Sequence, residues 1–87
     1  MNEDTLVITA EPAQTIVWSM PARYNAYDPS GYLIRQDVVN GKVNDIVKQH
    51  NVKDILVIGS MSPFVDKVTQ EIKEADITGV PIKSKVI

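Results

Sequence analysis

Asp54-Ile-Leu-Val-Ile-Gly59, running into Ser60-Met-Ser-Pro63, decides the fold. A segment this short and apolar at successive positions must be covered on both faces, which is the habit of an interior strand with parallel neighbours. A parallel neighbour requires a crossover, and the chain that follows supplies one. Ser62 is placed to cap a helix, Pro63 suits its first position and Asp66 falls in its first turn. Val65, Val68, Ile72 and Ala75 recur at helical spacing, with Lys67, Gln70, Glu71 and Glu74 on the wet side. Gly79-Val-Pro-Ile82 ends the connection, and Val80, Ile82 and Val86 alternate along a closing strand.

Upstream, Val39, Val43, Ile46, Val47 and His50 also keep helical spacing, with Asp37 or Asn40 as cap and Lys48 near the C-terminal end. Before this helix, Tyr32 to Val38 reads as a strand entered through Asp28-Pro-Ser-Gly31, whose residue types fit a type I turn. Leu6-Val-Ile8 opens a first strand reaching Ala10. Glu11-Pro-Ala-Gln14 connects it to a second at Thr15 to Met20, as an antiparallel hairpin. Pro21 to Tyr27 fits either the outer half of a hairpin ribbon or an irregular loop. The expected architecture is a single α/β domain over residues 1–87. Its mixed five-stranded sheet is a three-strand antiparallel meander followed by α-β-α-β, with the first strand central and the helices packed on the sheet.

Bulk properties exclude several classes. The chain has 87 residues, 44% hydrophobic and 23% charged, which is ordinary globular usage. A net charge of -2, with the Lys and Arg residues spread along the chain, gives no footprint for nucleic acid, which is not expected as a partner. There is no Cys, so disulfides and thiolate metal sites are excluded, and His50 alone builds no zinc site. Neither a cofactor nor a metal is expected. The acidic start Met1-Asn-Glu-Asp4 and the lack of any apolar run near ~18 residues point to a cytoplasmic protein without membrane contact.

Ile55-Leu-Val-Ile-Gly59, a helix ending near Glu74 and then Gly79-Val-Pro-Ile82 together resemble the ribonuclease H-like superfamily, closest to its Holliday-junction-resolvase-like branch. The resemblance covers Leu6 to Ile87 in topology and Val57 to Gly59 and Gly79 to Ile82 in letters. It implies the ribonuclease H-like strand order. Members that cut phosphodiesters hold two divalent cations with carboxylates on the first and fourth strands and beyond the fifth. Here those positions offer Thr9, then Gly59 and Ser60, and the chain given stops at Ile87. Glu11 is the only acid near the expected place, so the resemblance implies the fold without the two-metal activity.

Two groups of residues are candidate sites. Thr9, Glu11, Ser60 and Ser62 fall at the carboxyl edge of the expected sheet, where a helix N-terminus favours an anion or a nucleotide, with hydrolysis as an extension. Against this, Ser62 serves as a helix cap and Ser60 as a turn, and there is neither a glycine-rich loop nor a P-loop lysine. Arg23, Tyr24, Tyr27 and Tyr32 surround the Asp28 turn and are of the types that dominate binding hot spots, although tyrosines also pack over thin cores. Trp18, with Ile16 and Met20, reads as core, and His50 as a helix-end residue. The function expected is a small non-catalytic protein-interaction module that grips a second copy or another protein by an aromatic ribbon or an exposed strand edge. Its predicted edges, Tyr32 to Val38 and Val80 to Ile87, are only partly blunted by Arg35, Asp37, Lys83 and Lys85.

Overall fold

The computed structural model of the chain describes residues 4–11, 23–27, 30, 32–75 and 79–87. Its elements in chain order are β1 (Thr5–Thr9), β2 (Arg23–Asn25), α1 (Gln36–His50), β3 (Asp54–Gly59), α2 (Ser62–Ala75) and β4 (Ile82–Val86). The strands form one sheet in the order β2-β1-β3-β4, and every pairing is parallel. The protein is therefore α/β, as its apolar β3 demands, and β3 lies between β1 and β4 as an interior strand.

Register divides the sheet into two faces. Leu6 lies beside Ile55, and Ile8 lies between Val57 and Tyr24, while Ile55 is also beside Ile82. These side chains meet Val39 and Val43 of α1 and Val65, Val68 and Ile72 of α2 in one core cluster. Full burial of each such aliphatic side chain is worth about 1.5–3 kcal/mol relative to exposure. Val7 and Ile58 point to the other face and are equally buried, outside that cluster. Both faces of β1 and β3 are thus covered, which is why neither strand alternates apolar with polar. At the amino edge of this second face the Thr5 hydroxyl donates to Asp54 Oδ1 at 2.7 Å.

α2 carries the stripe expected of it at Val65, Val68 and Ile72. Its start is one residue earlier than the Ser62 cap implies: the Met61 carbonyl accepts from the Phe64 and Val65 amides, making Met61 the capping position. In α1 the cap is Arg35, whose carbonyl accepts from Val38 and Val39 and whose guanidinium forks onto Asp37 at 3.1 and 2.6 Å. That exposed fork holds the Asp37 carboxyl below its ordinary value, chiefly through the hydrogen bond from Arg35. α1 closes on Asn51 in the left-handed region (φ 52), whose N–H returns to the Val47 carbonyl.

Two expectations about the first half of the sheet need correction. Tyr32 to Val38 is not a strand: Leu33 makes an isolated antiparallel bridge with Tyr27, and the chain enters α1 at Gln36. The helical period that carries Val39 and Val43 onto the sheet extends a turn upstream. The Gln36 side chain then donates to the Glu71 carbonyl of α2 at 2.9 Å. The antiparallel meander and the five-stranded mixed sheet are replaced, among the described residues, by four parallel strands. Arg23–Asn25 hydrogen-bonds in parallel to β1, at a place read as either ribbon or loop. The expected strand Thr15 to Met20, with Trp18, lies outside the described residues. So do Asp28, Pro29 and Gly31 of the expected turn, although Tyr27 and Leu33, and Ala26 and Ile34, meet on either side of it.

Candidate functional site

The chain moves from β1 to β2 on one side and then to β3 and β4 on the other, so the strand order reverses between β1 and β3. Open α/β sheets bind ligands outside the carboxyl ends of their strands at such a reversal. β1 and β3 are held together there by the Ala10 amide donating to the Ile58 carbonyl at 2.7 Å. Gly59 permits the approach, because a Cβ at that position would stand 2.6 Å from the Ala10 carbonyl oxygen and 2.8 Å from Val65 Cγ2.

Of the four residues expected at this edge, Glu11 and Ser60 are bonded to each other. Thr9 ends β1, buried, and its carbonyl accepts from Ala26 at 2.9 Å. Glu11, only 6% exposed, turns its carboxylate onto Ser60. Oε2 accepts from the Ser60 amide at 3.2 Å and, in a shorter contact, from the Ser60 hydroxyl. Ser62, exposed in the first turn of α2, takes no part in this pair. The Ser60 amide, two residues before α2, lies next to the helix N-terminus that favours an anion, and the protein's own carboxylate already accepts from it. A phosphate placed there would have to displace Glu11 or face its charge.

The aromatic group is divided. Arg23 lies in β2 opposite Val7. Tyr24 is half-buried against the core, and Tyr27 belongs to it, with its ring edge-on to Phe64 at 5.7 Å between centroids. Burial, and then the Glu71 and Glu11 carboxylates, push the Tyr27 phenol above its ordinary value. Burial does the same for Tyr24. Tyr32 alone of the three is well exposed, at 73%. Tyr24 and Tyr27 are therefore committed to the core and not presented as a surface.

The accessible surface lies at the opposite rim. β4 has a single neighbour among the described residues, and its side chains from Lys83 to Val86 are exposed. The Ile55 amide donates to the Pro81 carbonyl and the Ile87 amide to the Gly59 carbonyl, so these two residues face β3. Successive residues of a strand turn their N–H and C=O to alternate sides, which leaves those of Ile82, Ser84 and Val86 directed outward. Val86 pairs with Gly59, two residues before Met61, and Ile87 follows it. Met61, Val86 and Ile87 are thus exposed apolar residues at one corner of this rim. Sequence reasoning named Val80 to Ile87 as an edge but missed Met61. The signal was available, since a Met after a strand-ending Gly has no place in the helical stripe that follows.

No family model matches the chain, and neither a curated protein nor a solved structure matches it. Among the described residues no cluster of His, Asp or Glu is arranged to hold a metal ion, and no helix is long and apolar enough to cross a membrane.

Proposed function

We propose that this protein is a small non-catalytic interaction module that binds another protein by strand addition at β4. The observation that carries the reading is the outward row of backbone donors and acceptors at Ile82, Ser84 and Val86, ending in an exposed apolar corner. An extended segment laid along this rim gains main-chain hydrogen bonds, and pockets for alternate side chains give it selectivity. Among the described residues this rim has no further neighbour, and such a rim invites uncontrolled association, so natural edges are usually covered, bulged or shortened. The opposite rim, β2, is shortened to three residues. The ribonuclease H-like resemblance adds nothing to this function, since Thr9 and Gly59-Ser60 stand where its first- and fourth-strand acids would be. The alternative of an anion or nucleotide at Thr9, Glu11, Ser60 and Ser62 is weakened by the carboxylate of Glu11 on Ser60.

The test uses Ser84→Pro. The Ser84 N–H points away from β3, so the substitution removes an outward donor and blocks the rim while sparing the β3 ladder. Extended peptides selected from a displayed random library on the wild-type chain should fail to bind a Ser84→Pro chain of unchanged thermal stability. Selected peptides that bind both equally would refute strand addition at β4. An independent readout avoids the variant: the amides of Ile82, Ser84 and Val86 should exchange with solvent rapidly in the free protein and slowly with a selected peptide bound.

A further inference from the structure

Lys83 and Lys85 project from β4 on the face shared with Leu56 and Ile58, and neither makes an ion pair among the described residues. Ile82, Ser84 and Val86 project to the other face, toward the side of the sheet that the helices cover. The rim therefore presents two like charges on one side of an apolar edge. Resting on the interaction reading above, we infer that the segment accepted by β4 is an extended strand of a different protein with acidic residues at alternate positions. Its acids stand opposite Lys83 and Lys85, and its apolar residues lie beside Ile82 and Val86.

Charge complementarity selects this occupant over a second copy. Two copies related by a two-fold axis pair their rims antiparallel, and the outward backbone groups of Ile82, Ser84 and Val86 allow registers centred on Lys83, Ser84 or Lys85. Centred on Ser84, Lys83 faces the other copy's Lys85; centred on either lysine, that lysine faces itself. Every well-overlapped register thus sets ammonium against ammonium directly across the strands, an arrangement that destabilises a sheet. The same two lysines that repel a copy attract a strand of opposite charge. A neutral strand would gain the backbone bonds and the apolar contacts but no charge pairing.

Peptides of about eight residues, alternating Val with Glu, Val with Ser or Val with Lys, test the inference against the full chain by following backbone amide shifts. The Glu peptide should move the amides of Ile82, Ser84 and Val86 and bind about tenfold more tightly than the Ser peptide, as two cross-strand opposite-charge pairs allow. Added salt should narrow that difference. A chain carrying Lys83→Glu and Lys85→Glu should reverse the order and prefer the Lys peptide. Equal binding of Glu and Ser peptides at the rim would overturn the acidic partner while leaving strand addition standing. Failure of all three peptides to move these amides would overturn strand addition as well. A concentration-dependent dimer in sedimentation, abolished by Ser84→Pro, would assign the rim to a second copy and also overturn the inference.

Discussion

The carboxylate of Glu11, two residues beyond β1, accepts both the main-chain N–H and the hydroxyl of Ser60, one residue beyond β3. The bond ties the ends of the two central strands where the strand order reverses. Glu11→Ala strips the Ser60 amide of its acceptor, and a part-buried donor left unpaired costs about 1–3 kcal/mol. Ser60→Ala, which loses only the hydroxyl, should cost less, and Glu11→Gln should fall between because an amide oxygen still accepts. Chemical denaturation of the three variants checks the order. Because Glu11 fills the anion position, phosphate and nucleotides should leave the melting temperature of the wild-type chain unchanged. A bound ligand at a hundredfold excess over its dissociation constant would add ~2.7 kcal/mol.

Gly59 is the second element of the same junction. A methyl group there would meet the Ala10 carbonyl oxygen at 2.6 Å, and main chain cannot move aside as a flexible side chain does. Overpacking of this kind costs roughly 1–3 kcal/mol, sometimes more. Gly59→Ala should therefore lower the melting temperature by about 5–20 °C, on the usual scaling for a domain of this size. It should do so without changing the charge at either candidate site. A melt within a few degrees of wild type would show that β1 and α2 stand farther apart than described.

The second half of the fold was legible because its signals are local and agree with one another. β3 carries its burial in its own residues, and Ser62-Pro63 with Val65, Val68 and Ile72 states a helix within a single turn of the expected start. The parallel placement of β4 beside β3 follows from the crossover that α2 makes. The first half was legible at β1 and in the body of α1, but not between them, where no period is clear enough to mark the elements. The apolar run Tyr32-Leu-Ile34 reads as the start of a strand, yet Val39 and Val43 are needed against the sheet, and that long-range demand draws Gln36 and Asp37 into α1. Three residues at Arg23–Asn25 are too few to announce a strand and take their identity from Val7, Ile8 and Thr9 alongside. Of the sites, the meeting of Glu11 with Ser60 followed from strand order alone. The inward turn of Tyr24 and Tyr27 did not, because residue type says nothing of which side of a tyrosine is wet.

α1 holds two residues that its own geometry disfavours. Gly41 is mid-helix, with open space where a Cβ would stand. The adjacent Asn40 keeps its side-chain oxygen buried with no partner among the described residues. Gly41→Ala should stabilise by roughly 0.5–1 kcal/mol, by restricting the unfolded chain and favouring the helix. Asn40→Ala should add about 1 kcal/mol by removing an unsatisfied acceptor and raising helix propensity. Equilibrium unfolding of both single variants decides the matter: a loss of stability in Asn40→Ala would mean that its oxygen has a bonding partner after all.

Alkaline pH should destabilise this protein through its tyrosines. The phenols of Tyr24 and Tyr27 are both held above the ordinary value of 10.0, by burial first and, at Tyr27, by the Glu71 and Glu11 carboxylates as well. The fold thus prefers the neutral phenol, and above pH 10 the native chain binds more protons than the unfolded one. The stability from this source is complete below the unfolded value and is lost as pH rises through the folded values, with a limiting slope of about 1.4 kcal/mol per pH unit per phenol. Tyr27, seated in the core beneath Phe64, should contribute more of that slope than the half-buried Tyr24. Melting temperatures followed upward from neutral pH should therefore hold steady and then fall beyond pH 10. In Tyr27→Phe the fall should be visibly shallower, because a ring that cannot ionise has no proton to lose. If the wild type and Tyr27→Phe decline in parallel, the Tyr27 phenol is wet, and the aromatic group regains its claim as a surface for partners.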